Sequence, residues 1–321
     1  MKASFISPML LLSTNKLPEG ENWLYELKVD GYRSIAFKTG GRIYLRSRND
    51  KDFSTTYRGI ANALSALPDE TVIDGEIVAL DEAGRPSFNA LQNLGSSGSS
   101  NVPLIYYIFD VMVLEGVDLT REPLSRRREL IEEKILPKLS EPIKYSAELE
   151  ADLSDLIQSV KKLGLEGLVA KQRGSRYEPG LRSGAWRKMR VNAGQEFVIG
   201  GYTVGNPFDA LVFGYYEGQQ LMYVARTRNG FTPASRRRLF ERFRELEIQE
   251  CPFVNLPEAK SGRWGQGLTK KKMEDCRWLR PVLVGQFEFT EWTPENHLRH
   301  SRFIGLREDK TAKDVTKDVD R

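Results

Sequence analysis

Apolar and polar positions fall into two regimes along the 321 residues. In the first, apolar runs of strand length alternate with stretches of helical spacing. Trp23 to Leu27 leads into Lys28, Asp30-Gly31 forms a turn pair, and Ser34 to Phe37 resumes the apolar run. Gly tolerates φ > 0, so this pattern predicts a β-hairpin with Lys28 at its mouth. Residues 22–48 hold two or three strands, punctuated by Gly40-Gly41 and ending on the basic tip Arg46 to Asp50. Residues 56–67 have helical spacing and stop before Pro68, Thr71 to Leu80 reads as a strand around Asp74-Gly75, and Pro86 opens a short helix to Gln92. Gly95 to Asn101 is rich in Gly and Ser and is expected to be a flexible loop.

Leu104 to Leu114 is apolar except for Asp110, as expected of a central strand buried on both faces, where an acid needs a partner or a task. Pro123 to Lys138 predicts a helix whose first turn carries Arg126-Arg127-Arg128, which suits the helix dipole badly. A second helix is expected over 151–163, ending at Gly164, followed by a strand from Glu166 to Lys171. Alternation in Trp186 to Arg190 places Trp186, Lys188 and Arg190 on one face and Arg187 and Met189 on the other. The second regime starts near Glu196, with short strands separated by Gly and one helix, Pro233 to Leu246, after the N-cap candidate Thr232. Turns every eight to twelve residues suggest a small barrel. The boundary is expected at Val191–Gly194, giving domains 1–192 and 193–321, and Thr311 to Arg321 reads as a charged, frayed tail.

Composition changes this picture little. With 40% hydrophobic and 29% charged residues the chain is an ordinary globular protein, and a net charge of +4 leaves nucleic-acid binding to local basic patches. Two cysteines, Cys251 and Cys276, support neither a zinc site nor a disulfide framework, so a reducing cytoplasm is expected. The N-terminal apolar patch Met9 to Leu12 lacks the features of a signal peptide, and no apolar run approaches a membrane span. There is no internal repeat.

The candidate chemistry lies in charged residues at the ends of apolar strands: Lys28 and Arg33, Arg48, Glu76, Phe109-Asp110, Glu166 with Lys171, and Lys188 with Arg190. Lys28 alone reads either as a solvated surface residue or as a nucleophile. If these strands converge, they build a cleft with several cations, two or three acids and an aromatic. That inventory suits a nucleoside triphosphate, with cations for phosphates, acids for ribose and metal, and an aromatic face for the base.

Lys28-Val29-Asp30-Gly31-Tyr32-Arg33 resembles the K-x-D-G-x-R signature of covalent nucleotidyltransferases, the ATP-dependent DNA ligases and their relatives. The later stretches follow in that family's order over nearly the whole chain. Phe88 to Gln92, Glu291-Trp292-Thr293-Pro294 and Gly305 to Lys310 are similar to phrases in the ligase module of bacterial end-joining proteins. The resemblance implies an α+β fold: an ATP-grasp-like nucleotidyltransferase domain of antiparallel sheets flanked by helices, then an OB-fold β-barrel domain. It implies that Lys28 attacks the α-phosphate of ATP and carries AMP as a phosphoramidate, with Arg33, Lys171, Lys188, Arg190 and a divalent metal crowding the amine towards its neutral form. Glu26 is then expected to accept a hydrogen bond from the adenine amino group, and Phe109 to stack on the base. Arg33 and Glu76 would hold the ribose, Arg48 the phosphate of AMP or of the DNA 5′ end, and Glu166 the metal, Mg2+ or Mn2+. Lys171 and Lys188 would neutralise the α-phosphate. Arg307 and Lys310, in Arg307-Glu308-Asp309-Lys310, would swing in to orient the leaving pyrophosphate and out again for DNA.

Two departures from the family pattern stand out. Arg190 replaces a second lysine, turning a point donor into a planar fork. The chain also starts about 27 residues before the nucleophile, where larger relatives carry a DNA-binding domain. Nicked or broken duplex DNA is the expected partner, with end-joining proteins as further candidates, in a monomeric, cytoplasmic, nucleoid-associated enzyme. Ser235 to Arg238 and Lys270-Lys271-Lys272 are candidate phosphate contacts, with solvated faces the alternative reading. His297 and His300 are expected to be exposed or to face DNA, with a metal site the lesser alternative. An RNA ligase, a capping-type guanylyltransferase and a non-catalytic nucleic-acid-binding relative are the alternative functions.

Overall fold

The strands on either side of Lys28 do not pair with each other. In the computed structural model, which describes residues 1–92, 94, 102–191, 194–260 and 267–317, they belong to different sheets. In chain order the first region contains β1 (Leu12–Ser13), β2 (Trp23–Lys28), β3 (Tyr32–Thr39), β4 (Arg42–Ser47), α1 (Arg58–Ala63), β5 (Thr71–Ala79) and α2 (Phe88–Gln92). Then come β6 (Leu104–Leu114), β7 (Val117–Asp118), α3 (Leu124–Leu130), β8 (Ile143–Tyr145), α4 (Leu153–Lys162), β9 (Gly167–Gln172) and β10 (Trp186–Arg190). One four-stranded sheet has the order β1-β10-β9-β2, and a six-stranded sheet runs β4-β3-β5-β6-β7 with β8 also on β6. The expected hairpin is therefore a crossing between sheets. Gly31 is required there by close approach, because a Cβ would lie 2.1 Å from the Ile77 carbonyl oxygen.

The two sheets share a core in which Leu24 and Trp186 of the first meet Ile35, Val72 and Phe109 of the second. The reverse face of the four-stranded sheet is covered by α4, whose Leu156 and Val160 pack with Leu168, Ala170 and Met189. Gly164 ends this helix at φ +67, a left-handed conformation that favours glycine. α3 continues through a π-helical turn, Ile131–Ile135, and a 3-10 turn, Leu136–Lys138. The expected Gly/Ser loop at 95–101 lies outside the described residues.

The chain divides into two compact units, Met1–Asn192 and Ala193–Asp318. The second contains β11 (Gly194–Val204), β12 (Phe208–Glu217), β13 (Gln220–Thr227), α5 (Pro233–Phe243), β14 (Glu247–Ile248), α6 (Lys270–Met273), β15 (Cys276–Glu288), β16 (Glu291–Trp292), β17 (Leu298–Arg299) and β18 (Arg302–Leu306). Its main sheet runs β13-β12-β11-β15-β14, with β18 added to β15, and register shifts in β11 bend the long strands. This is consistent with an OB fold, although the pairing among described residues is an open path and not a closed barrel. Phe197, Phe213 and Phe287 form the centre of its core, the last two stacked at 3.9 Å. α5 starts at Thr232 with a reciprocal capping box to Ser235 and lays Leu239 and Phe243 on this core. The expected frayed tail is instead packed as far as it is described: Ala312 and Val315 are buried, and the Val315 carbonyl accepts from the Tyr216 N–H at 2.8 Å. Among the described residues no helix is long and apolar enough to cross a membrane.

Candidate active site

The register of three strands builds the site. Lys28 of β2 lies opposite Gly167 of β9, which lies opposite Arg190 of β10. The next row is Glu26, Val169 and Lys188, and the one beyond it Leu24, Lys171 and Trp186. Because side chains alternate, all three rows present these residues on one face, and the α4-packed residues take the other. Gly167 has no room for a side chain, since a Cβ would stand 2.1 Å from the Met189 carbonyl oxygen.

Glu166 immediately precedes β9, and its carbonyl accepts from the Val191 N–H at 3.0 Å. Its Oε1 lies 2.7 Å from the Lys28 Nζ and accepts from the Arg190 Nε at 3.0 Å. All three side chains are largely buried, at 11–14% exposure, so this shared carboxylate is poorly screened. Arg190, which stands where the family pattern has a second lysine, is the cation across the row from the predicted nucleophile. Lys188 is half-buried, one row along.

Lys171 stands four residues from the Lys28 row, roughly 13 Å along the strand, and its amine is held by Glu26. Its Nζ is 2.9 Å from both oxygens of Glu26 and 4.5 and 4.4 Å from the rings of Phe109 and Trp186. Burial lowers the Lys171 pKa, and Glu26 opposes that shift. Glu26, 2% exposed, also accepts from Arg128 and, at 2.9 Å, from the Ser146 hydroxyl. Protein donors thus fill the four acceptor positions of a carboxylate. Glu26 anchors two buried cations, Arg128 and Lys171.

Arg33 likewise has an acidic partner of its own. It forms a bidentate pair with Asp74, 2.5 Å at each oxygen, and its guanidinium carbon lies 4.5 Å from the Phe109 ring centre. Burial works against the Arg33 cation, but Asp74 outweighs it and raises the pKa. Asp74 is fully buried and takes a further hydrogen bond from the Tyr177 hydroxyl at 2.5 Å. Phe109, 9% exposed, therefore carries Lys171 and Arg33 against its ring in place of an open stacking face. Glu76 is half-buried, in register with Arg33 and Tyr107, and Arg48 is half-buried just after β4.

Asp110 has its partner: Arg127 donates to its two oxygens at 2.7 and 2.8 Å, both side chains at 0% exposure. Asp110 is thereby a structural acid whose partner is Arg127. Arg127 and Arg128 were missed as functional positions. The three-arginine run at an unfavourable helix start was the signal, once two buried acids needed partners. Glu166 belongs to no cluster of three metal-ligating side chains, and none exists among the described residues. A single carboxylate fits only a cation whose shell is completed by substrate phosphates and water.

In the second unit, Arg307 and Asp309 are 5% and 1% exposed and joined by two 2.9 Å hydrogen bonds. Burial opposes the Asp309 charge, but Arg307, aided by Lys310, holds its pKa below the usual range. The Lys310 Nζ is 3.6 Å from Glu196. The histidines are not a pair: His300 is exposed, whereas His297 is buried, with Nδ1 2.9 Å from the Val224 carbonyl and Nε2 2.8 Å from Glu258. Arg236 turns inward onto the Phe208 and Phe231 rings and donates to the Phe208 and Asp209 carbonyls at 2.6 Å, while Arg237, Arg238, Lys270 and Lys271 stay exposed.

The chain is similar to known proteins in both sequence and structure. The ATP dependent DNA ligase domain family matches residues 8–190, and the ATP dependent DNA ligase C terminal region matches 205–310. The multifunctional non-homologous end joining protein LigD of Pseudomonas aeruginosa is 35% identical over 97% of this chain, and DNA ligase C2 of Mycolicibacterium smegmatis is 30% identical over 97% of this chain and 93% of its own. The chain spans only 36% of the length of that LigD protein. A mycobacterial DNA ligase D complexed with ATP and MES is similar in structure, with a TM-score of 0.68 at 30% identity over 97% of this chain and 98% of that one. The chain belongs to the ATP-dependent DNA ligase family.

Proposed function

We propose that this chain seals 5′-phosphate/3′-hydroxyl breaks in duplex DNA through a lysyl–AMP intermediate on Lys28, in DNA repair by end joining. The observation that carries the reading is the Lys28–Gly167–Arg190 row closed by Glu166. The Lys28 amine must lose a proton before it attacks, and the Glu166 oxygen 2.7 Å away can take it. The nitrogen then forms a bond to the α-phosphorus as the bond to the bridging oxygen breaks and pyrophosphate leaves. Arg190 and Lys188 offset the charge that develops on the phosphate, which is the main demand of phosphoryl transfer. A divalent cation, Mg2+ or Mn2+, would sit on Glu166 with the nucleotide's phosphates and supply further neutralisation.

For Phe109 to stack on adenine and Glu26 to receive its amino group, Lys171 must leave the ring and the carboxylate, and it then becomes available to the phosphates. Arg33, Glu76 and Arg48 are assigned to ribose and phosphate. Arg307 and Lys310 are assigned to pyrophosphate. In the later steps AMP passes to the DNA 5′-phosphate and the 3′-hydroxyl displaces it. Partner proteins of the end-joining kind follow from the relatives' names and belong to this same proposal. The test is incubation with α-labelled ATP or GTP and Mg2+. An acid-labile, base-stable protein label from ATP is expected, absent in Lys28→Ala. Equal labelling of Lys28→Ala, or labelling from GTP alone, would falsify the proposal.

A further inference from the structure

We infer that a cavity on the face turned away from Lys28 binds one unstacked nucleotide of a DNA strand. It has a volume of about 470 Å³, in the range of small-ligand pockets, and is lined by Trp23, Ser175, Arg176, Glu178, Ser183 and Arg187 among others. Trp23 is the first residue of β2, opposite Gln172, and alternation sets it on the opposite face from Glu26 and Lys28. The inference rests on DNA being the substrate but not on the lysine chemistry.

The donors in this cavity lack acceptors. Ser175 is 7% exposed, yet its hydroxyl oxygen has no hydrogen-bond partner. Arg187 spends its Nε on the Gly184 carbonyl at 3.1 Å and holds its guanidinium carbon 5.5 Å from the Trp23 ring centre, and its terminal nitrogens donate to nothing among the described residues. Arg176 is exposed and makes no hydrogen bond or ion pair among the described residues. The acid Glu178 is already engaged by the Ser183 hydroxyl. Two guanidinium forks and a buried hydroxyl call for an anion rich in acceptors, and phosphate meets this geometry. The Trp23 indole already carries the Arg187 guanidinium on its ring, and together they form an arginine–aromatic ledge of the kind on which a base stacks. A base that is paired and stacked within a duplex has both faces covered and cannot stack on this ledge. The occupant is therefore an unpaired nucleotide at a strand end.

Fluorescence polarisation of end-labelled duplexes tests this: one with a three-nucleotide 3′ overhang, one blunt, each against wild type, Arg176→Ala and Ser175→Ala, with dTMP as competitor. Wild type should hold the overhang about fivefold or more tighter than the blunt end, the lower limit for one stacked base. Both variants should lose that preference, bind blunt DNA as wild type does, and still form lysyl–AMP at the wild-type rate. No overhang preference in wild type, or a preference retained in both variants, overturns the inference. Competition by dTMP without an overhang preference reassigns the cavity to a free nucleotide and overturns it equally. If wild type shows the preference but forms no lysyl–AMP, the ligase reading fails and the cavity stands.

Discussion

Among single residues, the buried arginines decide most. Arg127 places its guanidinium on Asp110 and on the Glu122 and Ser175 carbonyls at 2.6 and 3.0 Å, and neither Arg127 nor Asp110 reaches solvent. Removing one partner of such a pair strands the other charge in a low-dielectric interior, at a cost of about 3–5 kcal/mol, whereas removing both costs much less. Arg127→Met is expected to lower the unfolding free energy of its unit by about that amount in urea titrations, and Arg127→Met with Asp110→Leu to recover most of it. A double variant as unstable as the single one would show that packing, not charge, is what Arg127 supplies. The sequence made the need visible, an acid inside an apolar strand. It could not show that the answer lay 17 residues on in a helix start, because only the packing of α3 against β6 brings the two together.

Strands β2, β9 and β10 define the site by register alone, and Gly167 is the position that lets them do so. A side chain there would meet the Met189 backbone, which cannot give way without parting β9 from β10. Gly167→Ala is therefore expected to slow lysyl–AMP formation about 100-fold, the scale of a 1 Å misplacement of reacting groups, while far-UV circular dichroism stays near wild type. A variant that labels at the wild-type rate would remove the register argument. The mistaken hairpin belongs to this scale too. The Asp30-Gly31 pair reads locally as a tight turn, but Gly31 is not among the left-handed glycines, and the true partner of β2 is a strand about 140 residues away, with no local signal. The alternation in β10, by contrast, was legible, because period two is a property of the strand itself.

For the molecule as a whole, the second unit carries an alkaline limit. Burial pushes the Cys276 thiol up from 9.0 to about 11, and burial with Glu247 pushes the Tyr202 hydroxyl up from 10.0 to about 12. Each group holds its proton more tightly folded than unfolded. The stability it contributes is complete below the unfolded value and is lost as pH rises towards the folded one. The melting temperature of this unit is expected to fall between pH 9 and 10 chiefly through Cys276, then more steeply above pH 10 as Tyr202 joins. Cys276→Ala should flatten the first part of that slope. An unchanged slope between pH 9 and 10 in the variant would exclude the thiol as its source.

By itself the amino-acid sequence determined the strand and helix positions, the place where the pattern changes near residue 192, and the ordered set of charged residues that the family shares, because periodicity, caps and motif spacing are properties of contiguous chain. Tertiary structure alone decided which charges meet. It set Arg190 and not Lys171 beside the Lys28 row, gave Glu26 to Arg128 and Lys171, and closed Asp74 on Arg33 and Asp110 on Arg127. The physical reason is that a buried charge takes whichever counter-ion the packing of distant elements brings within reach, and spacing along the chain does not record that distance.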